Sequence, residues 1–379
     1  MYKAMKIQLQ PTAEQEKKFE EFADIARFVY NKSLDWQTLN REQGNTFISK
    51  YEMRNRFVDL KNMLDLFGAA WLKDCNADVI VQAVFDCDRA FQNFFDNVKK
   101  RKKGIKVKSL GYPQFKGRYK SKKSFFNDPR KLRINGESIL LTKIGYVRTT
   151  EEIPMREYIN PRVTFDGKYW YLSLGYETEE TSEINNGETI GIDLGIKDFA
   201  VCSNGLNVEN INKSQKVRKT EKKLKRHQRE RCRRVKKSKN RIKTNRKARL
   251  IHRRLHNIRE NHINQAIVKV VKAKPRVVVV ENLNIEGLLQ NGKLSRSISQ
   301  QLWGRFLVKL EYKCESNNIK LIKAGRTYAS TQICSSCGNR LMGEEKLTLK
   351  DRVYKCKICG LELDRDFNAS LNLKKLADI

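Results

Sequence analysis

The spacing of hydrophobic positions changes twice along the chain. After a short strand-like opening (residues 3–9, KAMKIQL), Thr12 and Gln15 form a capping box behind Pro11, and Phe19, Phe22, Ala23, Ala26, Val29 and Tyr30 fall on one helical face. A second stripe, Ile80, Val84, Cys87, Phe91, Phe94 and Val98, predicts a helix over residues 76–98, so 11–98 reads as mostly α. From residue 130 to 177 the period falls to two. Asn135-Gly136 and Asp166-Gly167 sit between strand-like runs (LRI and SILL, then RVTF and KYWYLSLGYE), the signature of hairpins in a small sheet or barrel. The polar stretch Ser182–Glu188 is the expected boundary. Beyond it strands and helices alternate. Thr189–Asp193 and Phe199–Cys202 read as a strand pair, 212–260 as a long helix running on into the more apolar 261–272, and Val277–Val280 as a buried strand. Trp303–Ser316 reads as an amphipathic helix, Lys320–Ala324 as a strand and Asp366–Leu376 as a closing helix. These stripes describe core and carry no function by themselves.

Charge changes that picture. The chain has 379 residues, with 78 Lys+Arg against 43 Asp+Glu, a formal net charge of +35. Such a surplus points to a polyanionic partner. It is also uneven: residues 213–259 hold 23 Lys+Arg against only Glu221 and Glu230, without Gly or Pro. This segment reads as a long helix, or a helical hairpin breaking near Lys237–Asn240. A solvated basic face is the plain alternative, but so many cations repel one another unless phosphates neutralise them, and phosphate binding releases counterions. Residues 99–123 carry twelve Lys+Arg and no acid, interleaved with Tyr112, Phe115, Tyr119, Phe125 and Phe126. Cations for phosphates and rings for unpaired bases suit RNA; a loop pinned to the core by its aromatics is the equal alternative. No apolar run approaches the roughly 18 residues of a membrane span, and the opening residues lack a secretory signal. Nine cysteines, an odd number, fit a reducing compartment, so the cytosol or nucleoid is the expected location.

Two constellations carry chemistry. Asp193 ends an apolar strand at Leu194-Gly195, Glu281 follows four valines, and Asp364 and Asp366 stand at the entrance to the last helix. Singly these read as a turn acid, a strand-end surface acid and helix caps. Together, strand–Asp, strand–Glu and helix-start Asp match the three carboxylates of the RNase H-like fold, which hold two Mg²⁺ ions about 4 Å apart. Asp366 is the expected ligand, and Asp364 the cap or a supporting group. The second set is Cys334-x₂-Cys337 and Cys356-x₂-Cys359, each pair followed by a glycine (Gly338, Gly360), the spacing of a structural Cys₄ zinc ribbon; redox pairing is the minor alternative. Cys75, Cys87, Cys202, Cys232 and Cys314 read as packing thiols. His227, His252, His256 and His262, in or beside the basic helix, read as phosphate-facing or exposed.

In this order the motifs resemble the TnpB family of insertion-sequence proteins, RNA-guided DNA endonucleases from which type V CRISPR effectors are thought to descend. The resemblance spans nearly the whole chain, from KIQLQPTAEQE, RFVYNKSLDW, RAFQNFF and GYPQFKG to the more specific GIDLGIKDFAV, VVVVENLNIEGLL, STQICSSCG, YKCKICG and DRDFNASLNL. It implies a multidomain α/β protein. Residues 1–10 would be the first strand of a wedge β-barrel completed by 111–181, and 11–110 a helical recognition lobe. A RuvC-like nuclease core would span 182–330 with a basic helical insertion at 212–260, then a zinc ribbon at 331–361 and the last nuclease motif at 362–379. The family's catalytic triad falls on Asp193, Glu281 and Asp366, with two Mg²⁺, and its zinc ligands on Cys334, Cys337, Cys356 and Cys359. It further implies a guide RNA from the transposon end, a double-stranded DNA target, and a short adjacent motif read by the protein. The expected partner state is a monomer in the RNA complex, without a membrane. Tyr51 and Gln82, polar residues of the helical lobe, are the candidates for motif reading, with an ordinary surface residue the equal alternative for either, and Tyr112, Phe115, Lys116, Lys222, Arg226, Arg233 and Arg234 are the candidates for other nucleic-acid contacts. A nuclease-independent guided repressor and a DNA transposase are the competing functions.

Overall fold

A computed structural model describes the chain apart from residues 1, 67–70, 108, 119, 180–184, 291, 293, 326, 349, 378 and 379. Tyr119 and the first part of the expected boundary 182–188 lie outside the described residues. The chain divides into two compact units, Met1–Glu179 and Glu180–Ile379. No described helix is long and apolar enough to cross a membrane.

In the first unit β1 (Tyr2–Gln10) leads into α1 (Ala13–Glu42), α2 (Lys50–Leu66), α3 (Trp71–Asp74) and α4 (Ala77–Lys102). Strands β2 (Ser124–Phe126), β3 (Arg133–Asn135), β4 (Ser138–Leu141), β5 (Gly145–Thr149), β6 (Ile159–Phe165) and β7 (Trp170–Glu177) follow. Helix α1 starts where the capping box places it: the Thr12 hydroxyl accepts from Gln15 N–H at 3.3 Å, and the Gln15 side chain accepts from Thr12 N–H at 3.1 Å. Asn76 caps α4 by a single side-chain bond, accepting from Asp78 N–H at 3.2 Å. Both expected hairpins form, with Gly136 at φ +53° and Gly167 at φ +100° supplying the left-handed turns. Among the described residues the strand order is β2-β6-β7-β1-β5-β4-β3, all antiparallel. The N-terminal strand therefore lies mid-sheet, running from Tyr2 opposite Glu177 to Leu9 opposite Trp170. The sheet is open among these residues, not the closed barrel expected. Its edge strands, β2 and β3, are three residues each and present few groups for a closing ladder. Phe19 packs edge-on to Trp170 at 5.1 Å and against Phe125 at 5.6 Å. Burying each such ring stabilises the unit by about 1.5–3 kcal/mol.

The second unit runs β8 (Ile190–Leu194), β9 (Asp198–Cys202), β10 (Asn207–Glu209), α5 (Gln215–Arg233), α6 (Lys239–Lys272) and β11 (Val277–Val280). It continues through α7 (Ile285–Leu289), α8 (Ser295–Gln301), α9 (Trp303–Ser316), β12 (Lys320–Lys323), β13 (Val353–Lys355), β14 (Glu362–Asp364) and α10 (Arg365–Lys375). Its larger sheet has the order β10-β9-β8-β11-β12, antiparallel across β10-β9-β8 and parallel across β8-β11-β12. The four valines of β11 are all buried because helices cover both faces. Val278 and Val280 face a core with Ile190 and Ile192 of β8, Ile263 and Ile267 of α6, and Phe306 and Leu310 of α9. Val277 and Val279 face Leu373 of α10. The basic segment is a hairpin: α5 ends at Arg233, Lys237 turns the chain at φ +68°, and the Ser238 hydroxyl caps α6. Val217, Leu224, Ala248, Ile251 and Leu255 form its small core.

Candidate metal centres and nucleic-acid interface

Side chains alternate across a strand, so Gly191 and Asp193 of β8 share a face, as do Val277, Val279 and the following Glu281. That face is the one α10 covers. Parallel pairing sets Gly191 beside Val279 and Ile192 beside Val280, which brings Asp193 next to Glu281. A Cβ on Gly191 would lie 2.0 Å from Ser370 O and 2.5 Å from Lys374 N. Only glycine lets α10 lie this close, and its first turn carries Asp366. Asp364 is the helix cap, accepting from Asp366 N–H at 3.0 Å and Phe367 N–H at 3.1 Å. Asp193 and Asp366 are buried, Glu281 partly so. Burial, then the nearby Glu281 and Asp366 carboxylates, push the Asp193 carboxyl well above the ordinary range, with Arg365 opposing them. Glu281 is raised by burial, against a hydrogen bond with Asp193. Buried acids that repel one another in this way form a donor set of hard oxygens suited to a divalent cation.

The cysteines make the second centre. Their sulfurs all lie within 4.8 Å of one another. Cys334 Sγ is 3.5 Å from Cys359 Sγ, and Cys337 Sγ is 3.5 Å from Cys356 Sγ. A tetrahedral Zn–S shell of about 2.3 Å asks for sulfurs a little under 4 Å apart, so the four could hold such an ion. The glycines do what their positions suggest: Gly338 (φ +77°) and Gly360 (φ +71°) donate back to Cys334 O and Cys356 O, both at 3.0 Å. The backbone N–H of Cys359 pulls the Cys356 thiol down to about 6. Among the described residues this is the only group of three or more such side chains with ligand atoms that close; the three acids do not all come within that distance of one another.

Helix α10 and the cysteine loops are stitched together by residues the sequence reading passed over. The buried Asn368 accepts from Ser335 N–H at 3.0 Å and donates to Ile333 O at 2.7 Å. Asn372 donates to Ser330 O at 2.9 Å and Ile333 O at 2.6 Å. Their signal was visible in DRDFNASLNL: two asparagines one helical turn apart, beside the apolar Ala369 and Leu373.

The expected nucleic-acid contacts fall into two groups. Lys222, Arg226, Arg233 and Arg234 all line one open cleft of about 940 Å³ along the hairpin, with Lys225, Arg229 and Lys247. Arg234 is partly neutralised, donating to Glu230 and, at 2.6 Å, to Asn240 O. In the first unit several candidates are committed to packing. Tyr112 sits edge-on to Phe91 (5.7 Å) and Phe94 (5.2 Å). The Lys116 backbone exchanges two hydrogen bonds with the Asn31 side chain, and its ammonium lies 3.5 Å over the Tyr30 ring. Gln82 donates to Asp86 at 3.0 Å, and Arg162 grips the same carboxylate at 2.6 and 2.8 Å. Phe115 and Tyr51 are exposed. Two further expectations need correction. His227 is buried, 3.0 Å from Glu230, and His262 packs on Phe199 at 5.3 Å, because both lie on the inner faces of their helices. Cys232 is exposed, whereas Cys75, Cys87, Cys202 and Cys314 are buried as expected.

Comparison with known proteins agrees with this assembly. Residues 303–373 match the family description "Cas12f1-like, TNB domain", 173–292 match "Probable transposase", and 1–46 match "Helix-turn-helix domain". That last region is here a strand followed by one long helix. The chain is 28% identical to "Putative RNA-guided DNA endonuclease InsQ" of Escherichia coli (strain K12), over 98% of this chain and 91% of that one. It is 29% identical to a "Putative RNA-guided DNA endonuclease" of Streptomyces pristinaespiralis, over 98% and 88%. A solved Cas12f1-sgRNA-target DNA complex aligns over 99% of both chains at 17% identity and a TM-score of 0.36, too loose a likeness to carry argument. The fold is thus a multidomain α/β assembly with a cysteine cluster fit for a metal. The chain belongs to the TnpB family.

Proposed function

We propose that the protein is an RNA-guided, Mg²⁺-dependent DNA endonuclease of an insertion sequence, with one RNase H-like (RuvC) site that cuts both strands of double-stranded DNA in turn. The observation that carries this reading is the adjacency of Asp193 and Glu281 at the ends of parallel β8 and β11, with α10 seated on Gly191 so that Asp366 joins them. The names of the two full-length relatives support it. Asp193, Glu281 and Asp366 would hold two Mg²⁺, and Cys334, Cys337, Cys356 and Cys359 one structural zinc. Bound Mg²⁺ supplies activation of the attacking water and charge stabilisation at the leaving 3′-oxygen, giving 5′-phosphate and 3′-hydroxyl ends. The chain's own part is orientation: strand ends and a capped helix start hold the carboxylates rigidly, and burial keeps bulk water from screening them.

On the same reading the cleft lined by Lys222, Arg226, Arg233 and Arg234 tracks a phosphate backbone of the guide or its heteroduplex, and its contribution weakens with salt. Of the expected aromatic contacts, Phe115 and Tyr51 are exposed enough to meet bases, Tyr51 with one edge against Phe85, and residues 11–110 act as recognition lobe beside the wedge formed by 1–10 and 111–181. Guide pairing reads the target, and the protein reads the adjacent motif.

Asp193→Ala should lower cleavage of a guide-matched plasmid by more than about 100-fold, beyond what loss of a supporting group costs, while a defined RNA still co-purifies. Robust cutting by that variant would overturn the assignment. RNA-free protein that joins transposon ends would favour the transposase reading instead.

A further inference from the structure

Arg365 stands between the two candidate metal centres. Its backbone N–H donates to Arg352 O at 2.8 Å, at the base of the β13–β14 hairpin. One guanidinium nitrogen, Nη1, donates to Thr348 O at 3.0 Å, within the cysteine module. The other two, Nε and Nη2, both donate to Oδ1 of Asp366, at 3.1 and 2.9 Å. The two side chains are 12% and 11% exposed, so this is not the solvated surface pair that contributes little. Nor is Arg365 needed to start the helix, because Asp364 already caps it. Asn368 and Asn372 hold α10 to the first cysteine loop without its help.

We propose that Arg365 is a positioning residue of the three-acid centre: it grips Oδ1 of Asp366, leaves Oδ2 for a divalent ion, and through Thr348 ties that orientation to the fold of the cysteine module. The planar fork is what the geometry requires. Three donors fixed in one plane reach a carbonyl on one side and a single carboxylate oxygen on the other, which an ammonium on a flexible stem does not reproduce. Partners of this kind orient first-contact ligands and typically govern metal affinity by 10–100-fold. The arrangement explains why the cysteine module directly precedes the last acid in the chain: its hairpin delivers the arginine.

The inference rests on Asp193, Glu281 and Asp366 being metal ligands, and the test separates the two ideas. Zinc-loaded full-length protein in magnesium-free buffer is titrated with Mn²⁺, free ion being read by electron paramagnetic resonance. Arg365→Ala should weaken Mn²⁺ binding by about 10–100-fold with zinc content unchanged at one per chain, and Arg365→Lys should fall between it and the wild type. Asp366→Ala serves as reference. If Asp366→Ala weakens binding while Arg365→Ala matches the wild type, positioning by Arg365 is wrong and the metal centre stands. If Asp366→Ala is itself without effect, the metal-centre reading fails. Should the alanine variant lose zinc or fail to fold, Arg365→Lys decides: wild-type Mn²⁺ affinity there overturns the proposal.

Discussion

The two candidate ligand sets of the second unit are built on opposite plans. The cysteines come from two short loops, each closed by its own glycine turn, and their sulfurs already stand at a spacing that suits a tetrahedral ion. Backbone N–H groups lower the Cys356 and Cys359 thiols toward the thiolate form that a metal takes, whereas Cys337, against the backbone N–H of Asn339, is raised by desolvation and by hydrogen bonds with the other three cysteines. The acids come from two strands and a helix far apart in sequence, and they meet only because the sheet and α10 are complete. There burial, joined at Asp193 by repulsion from Glu281 and Asp366, raises Asp193 and Glu281 rather than lowering them. A closed centre of soft ligands contributes to folding; an open centre of hard ligands is held together by a fold that bears its repulsion.

The largest effect is expected from breaking the closed centre. Structural zinc supplies on the order of 10 kcal/mol in small zinc-dependent folds. Cys356→Ser should therefore release the ion and unfold residues 334–360, seen as zinc loss and fast amide exchange at the buried Tyr354. The sheet cores around Trp170 and Phe306 should survive. One zinc per chain with full activity in this variant would refute the ribbon.

A pair of glycine substitutions sharpens the contrast. In the acid centre glycine supplies room: a Cβ at Gly191 meets Ser370 and Lys374 backbone, which cannot swing aside. Gly191→Ala should cost about 1–3 kcal/mol or more, measured as a lower denaturation midpoint, and should reduce cleavage by displacing Asp366. In the cysteine centre glycine supplies an angle. Gly338 has open space around it but φ +77°, so Gly338→Ala should cost about 1–2 kcal/mol and leave the acids in place.

The same difference decides how much was legible in the sequence. The cysteine spacing, its glycines and the capping box of α1 are local patterns, and each forms where the sequence put it. VVVV followed by Glu281 was readable because a strand covered on both faces must be apolar throughout. What local pattern misses is pairing at a distance. Nothing near Gly191 announces that α10 rests on it, and nothing near Arg365 shows that its guanidinium spans Thr348 and Asp366. Tyr112 and Gln82 were singled out as polar or aromatic residues in the right segments; only the structure reveals that Phe94 and Asp86 occupy them. The opening strand and both hairpins of the first unit were expected, β2 and β5 were not, and closure into a barrel depends on which edges meet; the described edges do not pair.

The smallest effect tests whether the acid centre is strained. A carboxyl raised on folding binds its proton more tightly in the native chain than in the unfolded one. In Mg²⁺-free protein the part of the stability that these two groups contribute is then fully present below the unfolded-chain values near pH 4. It should fall as pH climbs from there through the higher native values of Asp193 and Glu281. Asp193→Asn removes one of the repelling charges at nearly constant shape. It should raise the neutral-pH stability of Mg²⁺-free protein by about 0.5–2 kcal/mol, the usual gain when a functional strain is relieved. It should also flatten the pH profile, as read by denaturant unfolding at several pH values. The matching substitution in the other centre, Cys356→Ser, should move stability the opposite way. A variant Asp193→Asn no more stable than the wild type at neutral pH would mean that the acids are not strained, and the contrast between the centres would reduce to their geometry.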